Sequence, residues 1–389
     1  MLLIKNAEIH APRSAGRCDI LMGGGEILRM EPNIEVPERY CTVIDARNLI
    51  AVPGFIDGHV HILGGGGEGG FATRTPEMML SDAIRGGVTT LVGCLGTDGF
   101  TRTMPSLLAK AKGLEEEGIS TYVFSGSYGI PVRSMLGSIE EDLLFLEKVI
   151  GVGEVALSDH RSSQPTFEAF AQIVGNARRG GMLSGKAGLV NVHLGDGPRG
   201  LAFLRRLLEE TELPPHQLLP THINRNPTLF EEGIAYAKAG GFVDFTTSTV
   251  PASLEEGEVP CGQALRRMLD AGVDPGHITF TSDGQGSLPD FGPGGRLRGI
   301  AVGRVTSLYP AVREAVLQEG VPLATALRVI TSNPARLLKL KRKGRLAPGL
   351  DADLVLLDAR ELTVDTVVAK GRALMVHGEL LARGTFEGA

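Results

Sequence analysis

Gly54-Phe55-Ile56-Asp57-Gly58-His59-Val60-His61 closes an apolar run on two histidines spaced two apart. Successive side chains of a strand point to opposite faces, so His59 and His61 project together while Val60 turns away. Such a pair can hold one ion. An isolated His-x-His is more often two unrelated histidines, so its meaning depends on what the rest of the chain places beside it.

From Pro53 onward, short apolar strands alternate with helical stretches, the texture of a parallel sheet with helical crossovers. The pattern predicts eight strands: Gly54–His61, Thr89–Leu95, Ser120–Ser125, Glu154–Ser158, Leu189–Leu194, Leu218–Ile223, Phe242–Thr246 and Ile278–Ser282. Between them lie Ser106–Glu117, Ile139–Ile150, Leu201–Glu210, Phe230–Ala239 and Gly262–Ala271, whose apolar residues recur at helical spacing. Eight such strands close a (β/α)8 TIM barrel, expected over residues 53–336. Residues 1–52 read instead as short strands with Gly23-Gly24-Gly25 as a turn, and 337–389 return to the same texture at Ala352–Asp358, Val367–Ala369 and Ala373–Val376. Both ends are β-rich and flank one barrel, so they are expected to pair into a single small β-sandwich and hide each other's edges.

Composition narrows the partner. The 389-residue chain is long enough for this α/β architecture, and its 42% hydrophobic content supports a substantial core. Lys and Arg number 39 against 45 Asp and Glu, a formal charge of −6, so no basic field points to nucleic acid or an anionic membrane. No apolar run approaches the roughly 20 residues that span a bilayer. Cys18, Cys41, Cys94 and Cys261 form no CxxC pair and read as reduced thiols. A cytoplasmic protein with a small-molecule partner is expected.

In a barrel of this kind the chemistry lies at the C-terminal ends of the strands. His59 and His61 end strand one, Glu154 lies on strand four with Asp159 and Arg161 beyond it, and His193, His222 and Asp283 end strands five, six and eight. His216 and His277 fall in ordinary connecting segments. Two His with Asp283 on one ion, two more His on a second, and a shared carboxylate would make a two-metal site suited to hydrolysis. Imidazole and carboxylate ligands favour zinc, with cobalt, manganese or nickel also compatible.

These residues resemble the amidohydrolase superfamily, and within it the isoaspartyl dipeptidases, over nearly the whole chain. The resemblance rests on Gly64-Gly65-Gly66-Gly67-Glu68, Thr73-Arg74-Thr75-Pro76-Glu77, Gly96-Thr97-Asp98, Ser158-Asp159-His160-Arg161, Pro220-Thr221-His222-Ile223-Asn224-Arg225-Asn226 and Ser282-Asp283-Gly284-Gln285-Gly286-Ser287. The segment Gly344-Arg345-Leu346-Ala347-Pro348-Gly349-Leu350-Asp351-Ala352-Asp353-Leu354 is similar to the superfamily's return into its β-sandwich. One departure stands out. The family carries a carbamylated lysine on strand four, whereas here the matching place holds Glu154, whose carboxylate is ready-made but shorter; Gly151 and Gly153 could let the strand run closer. Lys148, on a predicted helix, and Lys186, in a loop, are poor substitutes.

The resemblance implies hydrolysis of isoaspartyl (β-aspartyl) dipeptides by a hydroxide bridging two divalent ions, with Asp283 both ligand and general base and acid. Tyr128 would help stabilise the oxyanion. Glu68 would bind the substrate ammonium, Arg161 and Arg225 its carboxylates, and Thr97 and Ser287 would add neutral hydrogen bonds. It also implies a homo-oligomer, an octamer. Other readings of the same residues are an amidohydrolase acting on cyclic amides or N-acyl amino acids, and a scaffold that kept the barrel without its chemistry. Residues 64–70 could cradle a phosphate, but no Lys-Ser/Thr follows as in a P-loop.

Overall fold

The computed structural model describes residues 1–389 apart from Ala11, Arg13, residues 292–296 and Ala389. Phe55–Val60, Val88–Gly93, Ser120–Ser125, Val149–Leu157, Leu189–Leu194 and Leu218–Thr221 form a six-stranded parallel sheet, and Val243–Thr246 pairs in parallel with Ile278–Thr281. Backbone bonds from Ile223 N–H to the Asp244 carbonyl (3.1 Å) and from His61 N–H to the Gly284 carbonyl (2.9 Å) join the two sheets at both seams. The ring is therefore closed as a barrel. Thr103, Thr166 and Asn226 each accept the backbone N–H three residues on and start the helices Met104–Glu117, Phe167–Ser184 and Pro227–Lys238. The Asn226 cap also fixes the short segment that carries Arg225 past the end of strand six.

Both chain ends contribute to one nine-stranded sheet, in which Leu49–Pro53 from the N-terminal part lies between Leu2–His10 and Leu354–Asp358 from the C-terminal part. Alternation along these shared strands explains how the sheet is held. Leu49, Ala51, Leu354 and Leu356 join a core of their own sheet with Ile4, Ile20 and Met22. Ile50, Val52, Val355 and Leu357 face the other way, into the core that surrounds the barrel. A period of two thus divides one strand between two cores.

The structure redraws some elements. Strand four runs over Val149–Leu157, five residues earlier than its predicted start at Glu154, and the helix expected over Ile139–Ile150 stops at Phe145. The apolar residues of Leu143-Leu144-Phe145-Leu146 and Val149-Ile150 fit either period, and Glu147-Lys148 is a turn between them. Lys148 is accordingly not helical; its Nζ bonds the Thr121 carbonyl at 3.1 Å, away from the barrel mouth. Lys186 does lie in a loop, bonded to the Leu146 carbonyl at 2.6 Å. Strand Leu49–Pro53 and the antiparallel pair Ser287–Phe291 and Leu297–Val302 add to the predicted set. The last two follow barrel strand eight in a stretch rich in glycine and proline, which carries no strand signal.

Candidate functional site

The barrel strands bring all the expected ligand residues to one mouth. His59 lies on strand one and His61 just past it, Glu154 and His193 lie on strands four and five, and His222 and Asp283 follow strands six and eight. His222 (φ 64°) and Asp283 (φ 54°) adopt the left-handed region that costs most side chains about 1–3 kcal/mol. Each chain reversal turns a strand-end side chain inward over the barrel.

Glu154 sits at the centre. Its Oε1 is 3.1 Å from His61 Nε2, and its Oε2 is 3.0 Å from His193 Nδ1 and 3.5 Å from His59 Nε2. Asp283 Oδ1 lies 3.0 Å from His61 Nε2 and 3.6 Å from His59 Nε2, and His222 Nε2 lies 2.9 Å from His193 Nδ1. Two groups of donor atoms result, each with its atoms within 4.8 Å of one another: His59, His61, Cys94 and Glu154, and Glu154, His193 and His222. The carboxylate belongs to both.

Local backbone geometry explains its reach. On strand five only Asn191 separates Val190 from Val192, whereas on strand four Gly153 and Glu154 together separate their partners Val152 and Val155. The extra residue is a β-bulge, which re-aims the side chain it carries. A Cβ on Gly153 would come within 2.8 Å of Asn191 Cβ, and one on Gly151 within 2.7 Å of the Leu189 carbonyl oxygen. Only glycine lets strands four and five approach in this way. Gly96 serves the same end, since a Cβ there would lie 2.8 Å from the His61 ring and 3.1 Å from Glu154 Oε1.

Second partners orient the imidazoles. His59 Nδ1 bonds Asn191 Oδ1 at 2.9 Å, His222 Nδ1 bonds Thr246 Oγ1 at 2.6 Å, and His193 Nε2 bonds Asp159 Oδ2 at 3.0 Å. With an ion bound, these contacts would hold the proton of each ring on its outer nitrogen and free the inner lone pair for the metal. Sequence reading did not single out Asn191, Thr246 or Cys94. Asn191 carried a signal, because it alternates with His193 and so shares its face.

The predicted recognition residues form the wall above. Glu68 Oε1 accepts hydrogen bonds from Ser287 Oγ (2.9 Å), Arg161 Nη1 (3.2 Å) and Thr97 Oγ1 (3.3 Å). Its Oε2 is buried without a partner among the described residues. Arg161 also holds Asp159 through Nε (3.0 Å) and Nη2 (2.7 Å), so all three of its guanidinium nitrogens are engaged. Tyr128 OH lies 2.9 Å from His193 Nδ1. Arg225 stands apart from this network, 3.6 Å from Asp196, but lines the same cavity of about 580 Å³.

The electrostatics favour a bound cation. Burial opposes charge on Glu154, yet His59 and His193 hold its carboxyl well below the ordinary range. Burial likewise opposes protonation of His59, yet Cys94 and Glu154 hold its imidazole well above the usual value. Burial and the neighbouring His193 push His222 down to about 3, so it presents a neutral lone pair. His59 Nε2 and Asp283 Oδ1 are buried with no hydrogen-bond partner among the described residues. A centre that holds protons this firmly on buried rings, and aims unpartnered donor atoms at one point, fits divalent metal.

Comparison with known proteins agrees with this geometry. The amidohydrolase family model matches residues 50–374. A β-aspartyl dipeptidase from Fervidobacterium islandicum AW-1, solved with a β-Asp-Leu dipeptide, is 45% identical, covers 97% of this chain and 98% of its own, and superposes with a TM-score of 0.91. A dihydroorotase from Elusimicrobium minutum is 25% identical over 92% of this chain and 88% of its own length. A D-hydantoinase, at 18% identity over 99% of this chain and 97% of its own with a TM-score of 0.69, shares the fold. The chain belongs to the amidohydrolase family, in its β-aspartyl dipeptidase branch.

Proposed function

We propose that this protein is a binuclear metal-dependent isoaspartyl dipeptidase in which Glu154 is the bridging ligand. The observation that carries this reading is the position of the Glu154 carboxylate, one oxygen toward each ligand group, on the floor of a cavity lined by Arg161, Arg225, Thr97 and Ser287, with Glu68 bonded behind three of them. His59, His61 and Asp283 would hold one ion and His193 and His222 the other. Imidazole donors with carboxylates support zinc. Bound there, such ions would supply a nucleophilic hydroxide at neutral pH and polarise the scissile carbonyl.

The chain's own residues do the rest. Asp283 takes the proton of the nucleophile and passes it to the leaving amine, from a carboxylate already turned inward. Tyr128 donates its phenolic hydrogen to the developing oxyanion. The unpartnered Glu68 Oε2 receives the substrate ammonium, and Arg225, together with Arg161 Nη1 once it turns from Glu68, takes carboxylates. Thr97 and Ser287 add neutral donors. A neutral cyclic amide needs neither the ammonium partner nor the carboxylate clamp, which separates this reading from other amidohydrolase activities. The four free cysteines support a reducing, cytoplasmic compartment, and resemblance to the isoaspartyl dipeptidases supports a homo-oligomer. Among the described residues no helix is long and apolar enough to cross a membrane.

The test is hydrolysis of β-aspartyl-leucine beside α-aspartyl-leucine and a cyclic amide by zinc-reconstituted protein. Selective cleavage of the β-linked dipeptide is expected. Turnover of the cyclic amide alone would overturn the substrate assignment and leave the metal centre standing.

A further inference from the structure

We propose that Cys94 is a metal ligand, its thiolate completing the coordination of the ion held by His59, His61 and Asp283. This deepens the metal-centre reading above and rests on it. Cys94 follows barrel strand two, and its N–H bonds the Val60 carbonyl at 3.0 Å, which sets it directly beside the His59-Val60-His61 run. Its side chain is fully buried, and Sγ lies 4.0 Å from both ring nitrogens of His61. Its donor atom is within 4.8 Å of those of His59, His61 and Glu154.

The ordinary explanation of a buried free cysteine is that it packs as a small hydrophobe. The surroundings here argue otherwise. Sγ contacts the Val60 carbonyl at 3.6 Å and the His61 ring nitrogens at 4.0 Å, and shares its space with three polar ligand residues. A second observation marks the same cluster, because the fully buried His59 Nε2, whose ring offers a donor atom within 4.8 Å of Sγ, has no hydrogen-bond partner among the described residues. With His59, His61, Asp283 and the bridging Glu154 the thiolate would be a fifth protein ligand, and a five-coordinate zinc ion with nitrogen near 2.0 Å and sulfur near 2.3 Å sets neighbouring donor atoms about 2.8–3.7 Å apart. The present separations of 3.0 to 4.0 Å around His61 Nε2 need shifts of only a few tenths of an ångström.

The consequence is an unequal pair of sites. The thiol proton is released to solvent as the metal–sulfur bond forms, with no change in oxidation state. The first ion then carries a soft ligand that the second, among His193, His222 and Glu154, lacks. Thiolate selects zinc, or cobalt in its place, over magnesium and manganese. It also adds a second negative charge beside Asp283 on that side of the centre.

Cobalt(II) titration of the apo-protein tests this by absorption. Wild type is expected to show visible ligand-field bands together with a near-ultraviolet thiolate-to-cobalt charge-transfer band. Cys94→Ser should lose the charge-transfer band while keeping the ligand-field bands, and its zinc affinity should fall at least about tenfold. Cys261→Ser, at the other buried cysteine, should keep both. Ligand-field bands without charge transfer in wild type, a result that needs no variant to fold, would overturn the role of Cys94 and spare the metal centre. So would a charge-transfer band that persists in Cys94→Ser. Absence of ligand-field bands altogether would overturn the metal-centre reading and this inference with it.

Discussion

Glu154 shows how the surroundings of a short side chain set its reach. A carboxylate on a short stem reaches both ligand groups because its strand carries one residue more than the neighbour and because Gly96, Gly151 and Gly153 leave room. The residues proposed as metal ligands were legible in sequence because chemistry fixes their type: His59, His61, His193, His222 and Asp283 each lie at or just past a strand end. Those that orient them were not, since an Asn, a Thr or a buried Cys has many ordinary uses and only three-dimensional distance singles out Asn191, Thr246 and Cys94. Two substitutions separate the proposed roles. Asp283→Asn should lower kcat on β-aspartyl-leucine by about 10²–10⁴, as expected for loss of a proton-transfer group; steady-state kinetics showing less than a tenfold loss would contradict that role. Arg225→Ala should raise KM by about 10- to 100-fold with kcat within a few-fold, the cost of one hydrogen bond to a charged group. A fall in kcat at unchanged KM would instead place Arg225 in the chemistry.

Among the elements, strands six, seven and eight are tied by one buried carboxylate. Asp244 on strand seven accepts hydrogen bonds of 2.6 Å from Thr221, Thr279 and Thr281 on its two neighbours. Burial still raises its carboxyl to about 6, although the three hydroxyls oppose the shift. The folded chain therefore binds this proton more tightly than an unfolded one, whose aspartates titrate near about 3.9. Linkage gives the sign: the contribution of Asp244 to stability is greatest below pH 4, falls as pH rises through 4 to 6, and is level above that, by up to about 3 kcal/mol. Denaturant unfolding of wild type and Asp244→Asn across this range should show the stability of wild type relative to the variant falling between pH 4 and 6. A constant difference would contradict the shift. Eight strands were legible from apolar runs and turns, but the early start of strand four was not, because its apolar residues also continue the preceding helical spacing. The bulge within it is a matter of pairing register, which depends on strand five, more than thirty residues away in sequence.

For the molecule as a whole, shared strands link the terminal sheet to the barrel. Leu354 and Val355 are neighbours in sequence, fully buried, and belong to different cores. Removing either should therefore weaken one common structure: Leu354→Ala by about 2–5 kcal/mol and Val355→Ala by somewhat less. Both should lower the midpoint of a single thermal transition in calorimetry. Two transitions, each moved by only one variant, would contradict this coupling. The β texture of both chain ends was legible, yet the strand that joins them, Leu49–Pro53, was hidden because it is buried on both faces and shows no alternation. The same barrel that this sheet supports is what brings strands one, four, five, six and eight to one metal centre. Metal stoichiometry is the measurement that bears on that centre most directly: zinc titrated into apo-protein in bicarbonate-free buffer, for wild type and Glu154→Gln. Two ions per chain in wild type, without bicarbonate, and fewer than two in Glu154→Gln are the expected result. A second ion that binds wild type only when bicarbonate is added, or full loading of Glu154→Gln, would contradict Glu154 as the bridge.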